Sequence, residues 1–231
     1  MSNDIRSELR SFPSAGDVTT VTPVSAQRVL RNTYALLGLT LAFSALVAGV
    51  AMSLNLPHPG ILVTLVGFYG LFFLVNKTAN SGKGVLAVFA LTGFMGYTLG
   101  PTLNAVMSMP GGSATITNAL AATAAAFLGL SAIALTTKRD FSFMGKFLMI
   151  GMLVAVALGL GAIFFEVPAL SLAVSGMVVL LSCGLILFET SRIVNGGETN
   201  YVVATVGLFG TIYNLFSSLL MLFGLGGSND D

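Results

Sequence analysis

The sequence predicts an all-α protein, a bundle of seven membrane-spanning helices with its N-terminus inside the cell and its C-terminus outside. Three observations predict this. Only 8% of the 231 residues are charged and 55% are hydrophobic, whereas soluble globular domains carry about 25% charged residues. Seven apolar runs follow one another, each near the roughly 20 residues a helix needs to cross a bilayer. All ten Lys and Arg fall in alternate connections, which places them on one side of such a bundle.

In chain order, residues 1–28 are polar, mixed in charge and rich in Ser, Thr and Pro, without the apolar stretch of a signal peptide. They read as a disordered cytoplasmic tail. Residues 29–225 form the membrane domain and residues 226–231 a short outer tail. The predicted spans are 33–54, 60–76, 84–107, 116–136, 144–165, 169–193 and 201–222. Gly or Pro marks most connections: Pro57 and Pro59, Gly82, Pro110 with Gly111 and Gly112, Pro168, and Gly196 with Gly197.

Orientation follows from the cations, because cytoplasmic flanks carry the excess of Lys and Arg. Arg6, Arg10, Arg28 and Arg31 precede the first span, Lys77 and Lys83 lie between the second and third, Lys138, Arg139 and Lys146 surround the junction of the fourth and fifth, and Arg192 ends the sixth. The opposite connections have none. The chain is therefore read as a multi-pass protein of the cell (inner) membrane whose first partner is the lipid bilayer. The spread of its cations leaves no basic patch for nucleic acid.

Within the third span, Gly96 and Gly100 make a G-x-x-x-G pair, and Pro101 should bend the helix by removing an NH and crowding the carbonyl of Tyr97. The fourth span is small nearly all round, which predicts tight packing on several neighbours. On the seventh, Asn200, Ala204, Gly207, Thr211, Asn214 and Ser218 recur at steps of four and three and so form one stripe. Small residues let membrane helices approach closely, and Thr, Asn and Ser can hydrogen-bond across the contact. Ala204, Gly207 and Ser218 read as the packing part of that stripe, and the seventh helix reads as an inner one.

Glu189 is the only acidic residue inside an apolar run rather than at its edge. A carboxylate at depth costs roughly 2.5–3.5 kcal/mol on the insertion scale, so it is neutralised, paired or wet, and such groups are functional by default. The candidate ion or pH site is Glu189 with Thr211, Asn214 and Lys77. The plainer alternative has Glu189 a turn from the cytoplasmic edge, reaching water or Arg192 at i+3. Thr211 and Asn214 could equally be packing polars, Lys77 and Lys146 interfacial anchors, and His58 and Glu166 loop residues beside Pro59 and Pro168. A helical ruler sets Glu189 opposite residues 201–205 if the turn is compact. Contact with Thr211 requires an extended or offset connection, with the seventh helix starting deeper, and a hydrogen bond to Thr211 or Asn214 is expected.

Enzyme chemistry finds no constellation. Every Asp lies outside the spans, the one His lies in an outer connection, Cys183 stands alone, and no G-x-S-x-G, H-E-x-x-H, C-x-x-C or P-loop pattern occurs. The reading is a protein that is not an enzyme, with no cofactor and no metal ligands.

The segment from Lys138 to Phe143 (Lys-Arg-Asp-Phe-Ser-Phe), the Leu187-Phe188-Glu189-Thr190 end of the sixth span and Tyr213-Asn214-Leu215-Phe216 in the seventh together resemble the Bax inhibitor family of membrane proteins. Residues 188–201 look most like its bacterial YccA branch. The resemblance implies six helices around a central seventh. In some members it also implies a pH-sensitive calcium leak gated by two aspartates and an arginine latch. Glu189 occupies the first carboxylate position; the second falls at Thr211, which cannot ionise, and near the latch position stand only Lys77 and Thr78. The YccA branch implies instead a modulator of an FtsH-type membrane AAA protease that engages a cytoplasmic tail, the alternative being a leak for calcium or protons.

Overall fold

The computed structural model of the chain describes residues 23–137 and 139–226. It is all-helical: α1 Pro23–Ser53, α2 Ile61–Thr78, α3 Lys83–Met107, α4 Gly112–Thr137, a 3-10 turn Ser142–Met144, α5 Gly145–Phe164, α6 Pro168–Val194 and α7 Tyr201–Gly226. All seven are long and apolar enough to cross a membrane. Of the predicted tail, residues 1–22 lie outside the described residues, as do 227–231 of the outer one.

The ends of the helices follow local chemistry more than hydropathy. The sequence reading starts the first span at residue 33, yet α1 starts at Pro23, a residue type well tolerated in a first turn. Arg28 and Arg31 are exposed, so a polar stretch extends the helix beyond its apolar run. α4 starts four residues earlier than predicted. Gly111, at φ 71°, turns the chain, and a Cβ on Gly112 would run into the carbonyl of Val106, so the two glycines permit a tight α3–α4 connection.

α1 packs chiefly along α3, and α2 lies on the other flank of α3. The α1–α3 seam is closed by glycines: a Cβ on Gly96 would meet the Ser44 carbonyl, and one on Gly100 would sit 2.6 Å from the Ala51 Cβ. α7 packs against α6, α4, α1, α3 and, briefly, α2, whereas α5 reaches only α6 and the 3-10 turn. Two apolar clusters meet on α7. One joins Leu37, Val88, Leu91, Val202 and Leu208, and the other joins Ile186, Leu215, Phe216 and Leu220. A third, with Leu148, Ala155, Val174 and Leu181, glues α5 to α6.

The fourth helix packs on α3, α6 and α7, the several neighbours its small residues predict. Gly112, Ala119, Thr123, Ser131 and Ala134 are its buried residues, while Leu120, Leu128 and Ile133 are exposed. Toward α1 the approach is looser: Tyr34 stacks on Phe127 with ring centroids 5.8 Å apart, but no Cα atoms of the two helices come within 8 Å. Small side chains there line a groove instead of closing a seam.

Candidate functional site

The site is built by α6 and α7, antiparallel neighbours joined by residues 195–200. Gly196, at φ 75°, takes the left-handed conformation that ends α6. The NH groups of Gly197 and Glu198 then donate to the Arg192 carbonyl at 2.7 and 3.1 Å. This turn returns Glu198 to Arg192, whose Nη2 stands 3.3 Å from Oε2 of Glu198 and whose guanidinium lies 5.6 Å from the Phe188 ring centroid. Arg192 is thus held by Glu198 and not, as one turn of helix suggested, by Glu189.

Glu189 is left to the facing helix. The Thr211 hydroxyl lies 3.3 Å from both of its carboxylate oxygens and donates to them. Gly207, one turn before Thr211, completes the contact by absence of a side chain: a Cβ there would sit 3.0 Å from Oε1 of Glu189, tighter than the carboxylate could accept without moving. Thr211 is buried and Glu189 partly so.

The geometry of the approach differs from the ruler. Glu189 lies five residues, about 7.5 Å, from the end of α6, while Thr211 lies ten residues, about 15 Å, from the start of α7. The seventh helix therefore does not start deeper than the sixth ends. Side chains lean toward the N-terminus of their helix, so in an antiparallel pair Glu189 and Thr211 lean toward each other and close part of the offset.

The other candidates separate. Asn214 is exposed and lines a small cleft of about 200 Å³ with Phe68, Phe72, Gly207 and Thr211; its predicted bond to Glu189 is not made. Lys77 is exposed at the end of α2. Ala204 is buried and Ser218 partly buried, and Asn200 leaves the stripe to act as a cap. Its Oδ1 accepts from the NH groups of Val202 and Val203 at 2.9 and 3.3 Å. Its Nδ2 donates to the Ala79 carbonyl and to Asn80 at 3.2 and 2.8 Å. His58 and Glu166 are loop residues: the Gly60 NH donates to Nδ1 of His58, and Glu166 holds a φ of 52° in the turn before α6.

The sequence reading missed two long-range bonds of the same kind. The Tyr34 and Thr190 hydroxyls lie 3.2 Å apart, and those of Thr98 and Tyr213 lie 3.1 Å apart. The segment between α4 and α5 is clipped as well. The Ser191 hydroxyl donates to the Arg139 carbonyl at 2.9 Å and accepts from the Phe141 NH at 3.1 Å. Asp140 accepts from the Ser142 NH at 2.8 Å, and bonding to the Ser142 side chain first and to that NH second holds its carboxyl below the usual carboxylate value. A hydroxyl two residues before a predicted helix end, Ser191, was the available signal.

A helical bundle with one embedded carboxylate facing a Thr and a Gly defines a class of polytopic membrane protein, and the comparisons give the family. Residues 26–229 match the family described as inhibitor of apoptosis-promoting Bax1, and the chain belongs to it. The chain is 50% identical to the Modulator of FtsH protease YccA of Escherichia coli K12 over 215 residues, 93% of this chain and 97% of that one. The Inner membrane protein YccA of Escherichia coli O6:H1 matches to the same extent. An uncharacterized protein of Pseudomonas aeruginosa is 53% identical over 202 residues, 87% of this chain and 91% of that one. This is a multi-pass protein of the inner membrane.

Proposed function

We propose that the protein is a non-enzymatic modulator of an FtsH-type membrane AAA protease. The observation that carries this is identity of 50% along nearly the whole length of both chains with a protein bearing that name. In this reading the basic connections face the cytoplasm, since Arg28, Arg31, Lys77, Lys83, Arg139 and Lys146 are all exposed at helix ends of one parity. The C-terminus is then outside and the seventh helix is the axis of the bundle. The polar N-terminal tail projects on the side where an ATP-driven protease grips its substrates. The pairing of Glu189 with Thr211 serves as an internal strut that fixes the end of α6 against α7.

The test is the lifetime of a membrane substrate of the protease in cells with and without this protein. Modulation predicts a longer substrate lifetime with it, and deletion of residues 2–20 should leave the bundle inserted and lengthen the lifetime of the protein itself. An unchanged substrate lifetime at confirmed expression overturns the reading. Calcium or proton flux through liposomes holding this protein alone, with Glu189→Gln removing its pH dependence, would establish the leak instead. A cytoplasmically active reporter at the C-terminus would overturn the orientation.

A further inference from the structure

A second cavity lies away from Glu189, between α1 and α4. Its volume is about 580 Å³. Ala48, Phe209, Ile212 and Phe216, all buried, form its floor, and the exposed Gly49 and Leu128 stand on its two rims. α1 and α4 meet through the Tyr34–Phe127 ring stack, but no Cα atoms of the two helices come within 8 Å, so beside the exposed Gly49 and Leu128 the groove opens sideways, between two helices long and apolar enough to be embedded. Whatever surrounds the bundle in a membrane meets the groove directly.

Size and chemistry restrict the occupant. A helix about 10 Å across rises 5.4 Å per turn, roughly 420 Å³ per turn, so the groove holds little more than one turn of a partner helix. It is instead of the size of single-ligand pockets, about 300–1,000 Å³. Along α1 it runs from Leu41 to Gly49, about 12 Å, against the ~15 Å of one leaflet's hydrocarbon. Of the three hydroxyl side chains in its wall, Thr123 donates to the Ala119 carbonyl at 2.7 Å, Tyr213 pairs with Thr98, and Ser44 is buried. The groove occupies the half of the bundle away from the basic connections, since it takes the second half of α1, the end of α3 and the first part of α4.

We propose that this groove holds one acyl chain of a phospholipid from the leaflet opposite the basic end. An occupied groove extends the contact between α1 and α4 beyond the Tyr34–Phe127 stack, so the lipid is part of the wall of the bundle. The proposal stands whether or not the protein modulates a protease.

The test reconstitutes the full chain in phosphatidylethanolamine and phosphatidylglycerol vesicles doped with a phosphatidylethanolamine that carries a diazirine on one acyl chain. After irradiation, adducts are mapped by peptide. Adducts on the α1 and α4 groove peptides should be at least fivefold denser than on α5, whose Phe147, Leu153 and Ile163 are simply exposed. In Gly49→Phe they should fall to the α5 density while α5 labelling holds, because a Cβ at Gly49 meets nothing within 4 Å and the added ring fills the groove. Ala45→Phe is the second variant should the first not insert. Groove labelling no denser than that of α5 in the wild type, or unchanged in both variants, overturns the proposal. So does loss of protease co-purification in Gly49→Phe with labelling unchanged, which would assign the groove to a protein helix.

Discussion

The two faces of α7 solve opposite problems. Successive residues turn by about 100°, so Gly207 and Thr211 look one way and Phe209, Ile212 and Phe216 look the other. The first face meets a carboxylate at bonding distance, with a glycine where a Cβ would sit 3.0 Å from it. The second face is apolar and stops short of a neighbour, leaving a groove of about 580 Å³. A polar group in hydrocarbon needs a partner at bonding distance, which forces a tight contact, whereas an apolar wall can leave its last contact to lipid. Tolerance to substitution should therefore track closure and not polarity as such.

The largest expected effect tests the closed kind of contact at its extreme. Gly96→Leu drives a side chain into the Ser44 backbone, which cannot swing aside, and should cost about 3 kcal/mol in steric-trap unfolding from bicelles. A cost under about 1 kcal/mol would mean that the α1–α3 seam yields. Next, Thr211→Val keeps the shape and removes the donor to Glu189, at a cost of about 1–3 kcal/mol. Combined with Glu189→Gln in a double-mutant cycle it should give a coupling of roughly 0.5 kcal/mol or more. Additivity would show the two side chains to be mere neighbours. Gly49→Ala, on the open side, should change stability by no more than about 0.5 kcal/mol, and a loss as large as that of Thr211→Val would erase the contrast between the faces.

The smallest effect lies outside the membrane. Asp140 has a lowered value in the folded protein through its bonds to Ser142, so its contribution is full at neutral pH and is lost only as pH falls through that lowered value. Its carboxyl resonance should be flat between about pH 6 and 8 and titrate below the ordinary carboxylate range. Asp140→Asn should abolish that titration and leave the labelling of the groove alone.

The seven spans were legible because each is a long apolar run, and a run of that length has one outcome in a bilayer. Their ends were less so. Hydropathy marks where a helix leaves hydrocarbon, while the helix itself stops where backbone groups find other partners, which is why α1 reaches back to Pro23. Glu189 was legible by its depth, and Thr211 by its place on a stripe. Asn214 shows the limit of periodicity: it shares the stripe and the cleft beside α2 with Thr211, yet the bond to Glu189 is made by Thr211. Arg192 stood in the sequence reading only as an alternative partner for Glu189 one helical turn away, and it pairs with Glu198 because a glycine folds the loop back. The groove had no signature, since it arises from two helices whose backbones stay apart although the Tyr34 and Phe127 rings meet.

Asn200 carries a consequence for how the molecule is made. Its side chain caps α7 while bonding Ala79 and Asn80, residues synthesised some 120 positions earlier. α7, synthesised after them, thus finds its first turn completed only when the α2–α3 connection is already in place. Such distant pairings are slow to form, and this one makes the final insertion step report on the assembly of the earlier half. A chain whose first helices are misassembled would present α7 with an open end, and exposed, unfinished ends are what a quality-control protease encounters first.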